Sequence, residues 1–239
     1  WKSRTIRQRC QSIGKVAAAI AKRADSLTAL SGTDQRVDPV ETITAELLPT
    51  CSALRFIGRH GCRVLRTRSY TALGRPTWLW GVRSRVRRNP RGKVLVLGTW
   101  NYPVFLPGVQ AAQALAAGNT VLLKPAVGCE QVTKCLVEAF YEAGVPESAL
   151  RVLSSDASAA IEAIDAGVDL VVLTGASETG RKVLRRTAET LTPTIMELSG
   201  CDAVVVLPEA DTARVADCIV FGLRFNSGAT CIAPRRVIA

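Results

Sequence analysis

Between Lys93 and Ala188 the chain alternates short, continuously apolar runs with longer amphipathic ones, and this alternation constrains its fold more than any other feature. Lys93-Val94-Leu95-Val96-Leu97-Gly98 reads as a buried strand, Val104 to Ala117 as a helix stopped by Gly118-Asn119, and Thr120-Val121-Leu122-Leu123-Lys124 as the next strand. A helix follows from about Glu130 to Ala143, stopped by Gly144. Arg151-Val152-Leu153 is strand-like, Ser158 to Ala166 is helical, Asp169 to Leu173 is a strand and Glu178 to Ala188 is a helix. Strands that are apolar on both sides and separated by helices belong in a parallel sheet covered on both faces. The expected fold class is therefore α/β, a doubly wound parallel sheet that hands over near Gly200 to a second α/β unit. Sheets of this kind bind ligands at the carboxyl ends of their strands.

Upstream, Ile6, Cys10, Ile13, Val16, Ala17 and Ile20 recur at helical spacing and predict one long helix from Thr5 to Leu30, ended by Ser31-Gly32-Thr33-Asp34. Pro39 in a first turn opens a second helix running through Leu48. Pro49 interrupts or kinks it, and a third helical run reaches about Leu65. From Ala72 to Pro90, Trp78, Trp80, Val82 and Val86 alternate with small or charged residues and predict a two-stranded ribbon, with Arg83, Arg85 and Arg87 on its wet face. A lone hairpin is marginal in water. Two tryptophans in a chain that is only 5% aromatic favour an interface there.

The net charge of +11 raises a nucleic-acid reading. The arginines between Arg55 and Arg91 come without stacking aromatics or a recognition helix, so no nucleic-acid partner is expected. Eight cysteines show no Cys-x-x-Cys spacing and the single histidine, His60, lies among arginines, so no metal site is expected. No apolar run reaches bilayer length and no signal-peptide pattern opens the chain. A reducing, cytoplasmic setting fits the cysteines. The chain starts at Trp1 rather than Met and ends at Ala239 inside a strand-like run; it reads as a piece of a longer protein.

The strand ends carry the polar residues. Gly98-Thr99-Trp100-Asn101-Tyr102-Pro103 follows the first strand. It lacks the Gly-x-Gly-x-x-Gly pattern, so ordinary pyrophosphate-turn logic does not apply. The Asn101 amide suits holding an oxyanion, or capping the next helix. Lys124, before Pro125, can reach a ribose hydroxyl or phosphate, or merely extend its stem from the sheet end. At Leu173-Thr174-Gly175-Ala176-Ser177-Glu178 a helix starts among small residues, a natural phosphate site, although Glu178 also complements the helix dipole. Glu197, in the mostly apolar run Thr194 to Gly200, is expected to be partly desolvated and so tuned toward a general base, or else to be a structural ion-pair partner. Last comes Phe225-Asn226-Ser227-Gly228-Ala229-Thr230-Cys231-Ile232-Ala233-Pro234. It sets one cysteine on a turn of small residues, open to a substrate.

Asn226-Ser227-Gly228-Ala229-Thr230-Cys231 resembles the catalytic-cysteine signature of the aldehyde dehydrogenase superfamily, and Thr230 to Pro234 is similar to the class 3 group. The segments Trp100-Asn101-Tyr102-Pro103, Gly118-Asn119-Thr120 through Lys124-Pro125, Thr174-Gly175 and Glu197-Leu198-Ser199-Gly200 resemble further motifs of that family, in the expected order. The resemblance implies a Rossmann-like cofactor domain (1–71 and 91–199), an oligomerisation arm (72–90) and the beginning of a catalytic domain (200–239). It implies Cys231 as nucleophile, Asn101 as oxyanion holder and Glu197 as base. It implies contact of NAD or NADP with Gly98, Thr99, Trp100, Lys124, Pro125, Thr174, Gly175, Ala176 and Leu198. An aldehyde would be oxidised to an acid, in a homodimer or homotetramer. Val127, Ala176 and Ala229 depart from the family's usual glutamate, serine and glutamine; Val127 removes an acceptor for the adenosine ribose and favours NADP. A coenzyme A-acylating reductase and a non-enzymatic fragment of the same fold are the alternatives.

Overall fold

The computed structural model describes residues 1–32, 38–71 and 73–239. Helix α1 (Ile6–Lys22) starts at a capping box, in which the Thr5 side chain accepts from the Gln8 N–H and Gln8 reaches back to the Thr5 N–H. It buries Cys10, Ile13, Val16, Ala17 and Ile20, the residues whose spacing predicted it. The helix is not continuous to Leu30. It breaks at Arg23, and α2 (Ala24–Ser31) follows. The break turns Leu27 into the core and lets Lys22 and Arg23 pair with Glu142 from outside it. Thr33 and Asp34 of the expected stop lie outside the described residues.

The second run also differs from expectation. A turn of α-helix, α3 (Pro39–Thr42), passes through a π-helical turn (Ile43–Leu47) directly into α4 (Leu48–Leu65). Proline lacks an N–H and its ring collides with the carbonyl four residues back. The wider turn, with the Leu48 N–H reaching Ile43 O, carries the helix past Pro49 without a stop. Helices α1 and α4 cross at Gly14 and Gly58, where a Cβ added at Gly58 would lie 2.8 Å from the Gly14 Cα.

The ribbon is built from β1 (Arg68–Tyr70) antiparallel to β2 (Ser84–Val86), so it starts before residue 72, and Ala72 itself lies outside the described residues. Trp78 and Trp80 are not on its strands. They stand in and beside a 3-10 turn (Thr77–Leu79), 80% and 63% exposed. Pro76 breaks the run, and Arg75 ties the turn by donating to the carbonyls of Tyr70 and Val82.

The alternation then appears as expected: β3 (Lys93–Leu97), α5 (Phe105–Ala116), β4 (Thr120–Lys124), α6 (Glu130–Glu142), β5 (Leu150–Val152), α7 (Ala157–Asp165), β6 (Leu170–Gly175), α8 (Ser177–Ala188) and β7 (Thr194–Leu198). All five strands are parallel, in the order β5-β4-β3-β6-β7. Side chains of β3 divide between two cores. Val94 and Val96 join the larger one under α1, α4, α5 and α6. Leu95 and Leu97 join a smaller one with Ala163, Ile164 and Val183 of α7 and α8. This is the doubly wound sheet, and its strand order reverses beside β3. Beyond it, β8 (Asp202–Val205) and β9 (Pro234–Ile238) pair in parallel around α9 (Thr212–Arg224), the first α/β crossover after Gly200.

Gly58→Ala should destabilise the protein by about 1–3 kcal/mol, because the obstructing atom is backbone and overpacking outweighs the helix propensity gained. Urea unfolding of the two forms checks it.

Candidate active site

A cleft of about 1370 Å³ runs along the carboxyl ends of β3, β4, β6 and β7 and is closed on one side by the loop carrying Cys231. It is larger than the roughly 300–1,000 Å³ of ordinary small-molecule pockets. Of the residues singled out above, Gly98, Thr99, Trp100, Asn101, Lys124, Thr174, Gly175, Ala176, Glu197, Leu198 and Cys231 line it. Pro125 does not; it is buried in the wall behind Lys124. His60 packs against Phe56 at 4.9 Å between ring centres and is not part of the lining.

The loop after β3 forms the floor. The Gly98 N–H donates to Lys124 O at 2.8 Å, joining this loop to the end of β4. Asn101 does not cap α5. The position before that helix is Val104, and the Asn101 Nδ2 instead donates to Ala229 O at 2.9 Å, two residues before Cys231. Three further bonds tie the same loops: Asn226 Nδ2 to Asn101 O at 3.1 Å, Asn226 Nδ2 to Ala229 O at 3.3 Å, and the Tyr102 hydroxyl with Thr230 Oγ1 at 3.0 Å. Tyr102, Asn226 and Thr230 are buried. In water-excluded surroundings these bonds must be made, because an orphaned partner costs about 1–3 kcal/mol.

The Cys231 loop is strained in a defined way. Asn226 and Ser227 both have φ of 52° and Gly228 has φ of 77°. Asparagine tolerates the left-handed region and glycine has no Cβ to obstruct it, but serine does not favour it. Backbone of this kind persists where neighbours over-determine it, and the bonds to Asn101 and Tyr102 do so here. The turn leaves Cys231 exposed.

Lys124 is half-buried, and its Nζ donates to Pro125 O at 3.0 Å. Burial pushes its pKa down, opposed by the nearby carboxylates of Asp156 and Glu130. On the far wall, Thr174 Oγ1 accepts from Gln110 Nε2 at 2.9 Å. Ala176 occupies the N-cap position of α8 without a side-chain acceptor for the first-turn N–H groups. Glu178 pairs with Lys182 one turn on, at 2.8 Å. Glu197 departs from expectation. It sits opposite Thr174 on β7, the outermost strand, and is exposed rather than desolvated. Its neighbours are apolar in type but open to solvent, Ile195 being 50% and Leu198 38% exposed. The burial expected of Glu197 is therefore not found.

Gln110, Asn226 and Arg235 also belong to this region and were not singled out from the sequence as site residues. Gln110 lies in mid-helix and Arg235 on a strand, where nothing local distinguishes them. Asn226 had a signal, an asparagine entering a Ser-Gly turn. A double-mutant cycle on Tyr102→Phe and Thr230→Val should give a coupling of about 1 kcal/mol in thermal or urea unfolding.

Comparison with known proteins agrees with this geometry. The sequence profile of the aldehyde dehydrogenase family matches residues 1–239. The chain is 30% identical over 237 residues to a 4,4′-diapolycopene aldehyde oxidase of Methylomonas sp, covering 99% of this chain and 44% of that protein. It is 32% identical over 237 residues to a succinate-semialdehyde dehydrogenase [NADP(+)] 1 of Mycobacterium ulcerans (strain Agy99), covering 98% of this chain and 50% of that protein. The chain thus spans about half the length of these relatives. The crystal structure of a Mycobacterium tuberculosis aldehyde dehydrogenase complexed with NAD+ superposes with a TM-score of 0.85 at 29% identity, over 100% of this chain and 48% of that one. The strand-end motifs, the loop that joins Asn101 to Cys231 and the match along the whole sequence lead to one assignment: the chain belongs to the aldehyde dehydrogenase family.

Proposed function

We propose that this protein oxidises an aldehyde to a carboxylic acid with a nicotinamide dinucleotide, through a thioester on Cys231. The observation that supports this best is the bonding of Asn101 to the Cys231 loop in the cleft that Glu197 also lines. A thiol on an exposed turn is open to an aldehyde carbon. As thiolate, Cys231 attacks that carbon, and the oxygen that gains charge lies between the Asn101 amide and the Cys231 backbone N–H. Donors fixed in advance for such an oxygen are worth about 3–4 kcal/mol each in related chemistry. The resulting thiohemiacetal becomes the thioester when its carbon gives up hydride to the nicotinamide, and Glu197 takes a proton from the water that hydrolyses the thioester, releasing acid and thiol. The presence of Glu197 in the cleft speaks against the acylating, coenzyme A-dependent alternative, where a hydrolytic base would have no use.

The cleft fits the cofactor. The α8 first turn offers N–H groups without a side-chain acceptor, Thr174, Gly175 and Ala176 stand beside it, and Lys124 presents an ammonium at the end of β4. Gly98, Thr99, Trp100 and Leu198 complete the cofactor contacts, while Pro125 is buried and shapes the wall instead. When bound, the dinucleotide supplies the hydride acceptor. Val127 is 77% exposed at the cleft and offers neither an acceptor to a ribose 2′-hydroxyl nor repulsion to a 2′-phosphate, so NADP is the preferred form. We assign 1–71 and 91–199 to cofactor binding, 200–239 to the start of the catalytic domain, and 72–90, with its exposed tryptophans in and beside the 3-10 turn, to assembly of a homodimer or homotetramer. No helix among the described residues is long and apolar enough to cross a membrane. The eight free cysteines suit a reducing, cytoplasmic setting.

Nicotinamide reduction followed by absorbance with a medium-chain aldehyde should vanish in Cys231→Ser; retained turnover would refute the proposal. In the same assay Glu197→Gln should give a product burst and then turn over about 10²-fold more slowly. Val127→Glu should move the ratio of kcat/KM for NADP over NAD about tenfold toward NAD, the effect of roughly 1.4 kcal/mol; an unchanged ratio would refute the NADP preference.

A further inference from the structure

Glu46 has no exposed surface, lies outside the cleft lining and belongs to no motif discussed above. A buried carboxyl group is costly unless its oxygens are hydrogen-bonded. Here Oε2 accepts from the backbone N–H of Val104 at 2.6 Å and of Phe105 at 3.0 Å. These are among the first N–H groups of α5, which have no acceptor within the helix, and α5 has no side-chain cap of its own. Glu46 therefore supplies the missing N-cap from 58 residues away. The other end of α5 is held in the same manner and with the opposite charge, by Arg9 Nε donating to Ala116 O at 3.1 Å. Both signs match the helix dipole.

The loop that Glu46 pins is the one carrying Asn101 and Tyr102. Its start is fixed by the Gly98 N–H on Lys124 O and its end by Glu46 on Val104 and Phe105. Between those anchors Asn101 and Tyr102 hold Ala229, Asn226 and Thr230. Glu41, five residues before Glu46, accepts from Ser227 Oγ at 3.4 Å. One helical run thus references both loops, and Glu46 is carried on its π turn, a feature that recurs at functional sites.

We infer that Glu46 is a positioning residue for the site. Through the N-terminus of α5 it fixes the Asn101 amide and, by way of that amide, the turn that presents Cys231. Its catalytic consequence rests on the function proposed above; its geometric consequence does not.

The test compares the intact protein with Glu46→Gln, which keeps the shape and one acceptor oxygen, and with Glu46→Ala, which leaves two N–H groups buried without an acceptor. Hydrogen–deuterium exchange is read on peptides covering 226–231 and 120–124, together with kcat per titrated thiol and KM for the nucleotide. In Glu46→Gln, exchange over 226–231 should rise roughly tenfold while 120–124 stays unchanged, as expected for local rather than global opening. The kcat per thiol should fall roughly tenfold with nucleotide KM within about twofold, since small misplacement of reacting groups costs rate. Glu46→Ala should be more severe in both. A lowered melting midpoint with unchanged exchange over 226–231 and unchanged kcat per thiol would overturn the inference and leave Glu46 a structural cap only. If the wild type oxidises no aldehyde, or Cys231→Ser retains turnover, the functional reading fails, and the exchange comparison alone still decides what Glu46 does. If Glu46→Ala does not fold, Glu46→Gln carries the test.

Discussion

Helix α5 is clamped at both ends by buried side chains of the charge its dipole calls for, Glu46 at the start and Arg9 at the finish. Burial pushes the Arg9 guanidinium down from its ordinary pKa, yet the group remains a cation at any physiological pH. The two loops that meet at the cleft depend on where α5 begins. The loop before it has no secondary structure of its own, and its shape follows from its two anchors. With them in place, Asn101 and Tyr102 reach across to a second loop more than a hundred residues away and hold it in a left-handed turn it would not otherwise favour.

The sheet supplies the platform for this arrangement. Because Val94 and Val96 enter one core and Leu95 and Leu97 the other, β3 cannot slip by one residue without exchanging its whole hydrophobic set. Its register against β4 and β6 is therefore tight, and Leu97 stands level with both Lys124 and Leu173. The polar residues that follow each strand emerge at one height for that reason. Burial on both faces leaves the strand ends as the place where the chain can present polar groups together.

The opposite edge shows what happens without such cover. Strand β7 is paired on one side only, and Glu197, Ile195 and Leu198 on it are open to solvent. Helix α9 buries no residue at all, and Phe221, Val220 and Leu223 stand exposed along it. Apolar composition in β7 and α9 resembles that of the core, but this chain, about half the length of its relatives, leaves these elements largely uncovered. Glu197 lines the cleft, while the desolvation expected of it is not found.

Alternating apolar strands and helices, bounded by Gly118 and Gly144, determined the doubly wound sheet because local periodicity and stop signals act over a few residues and are written in order. Cys231, Asn101 and the strand-end residues were legible for the same reason: each sits in a short segment whose residue types are unusual for a strand or helix. Local patterns were misleading where a neighbour from elsewhere intervened. The Thr5–Leu30 periodicity did not show the break at Arg23, nor did Trp78 and Trp80 reveal that Arg75 would gather them into a turn. Glu46 carried no signal whatever, since its partners Val104 and Phe105 lie far along the chain and contribute only backbone N–H groups, which every residue but proline possesses. The sequence by itself determined which elements form and which polar residues stand at the strand ends. The tertiary structure alone decided how deeply each is buried and which distant backbone each side chain holds, because burial and long-range hydrogen bonds are properties of packing rather than of any segment.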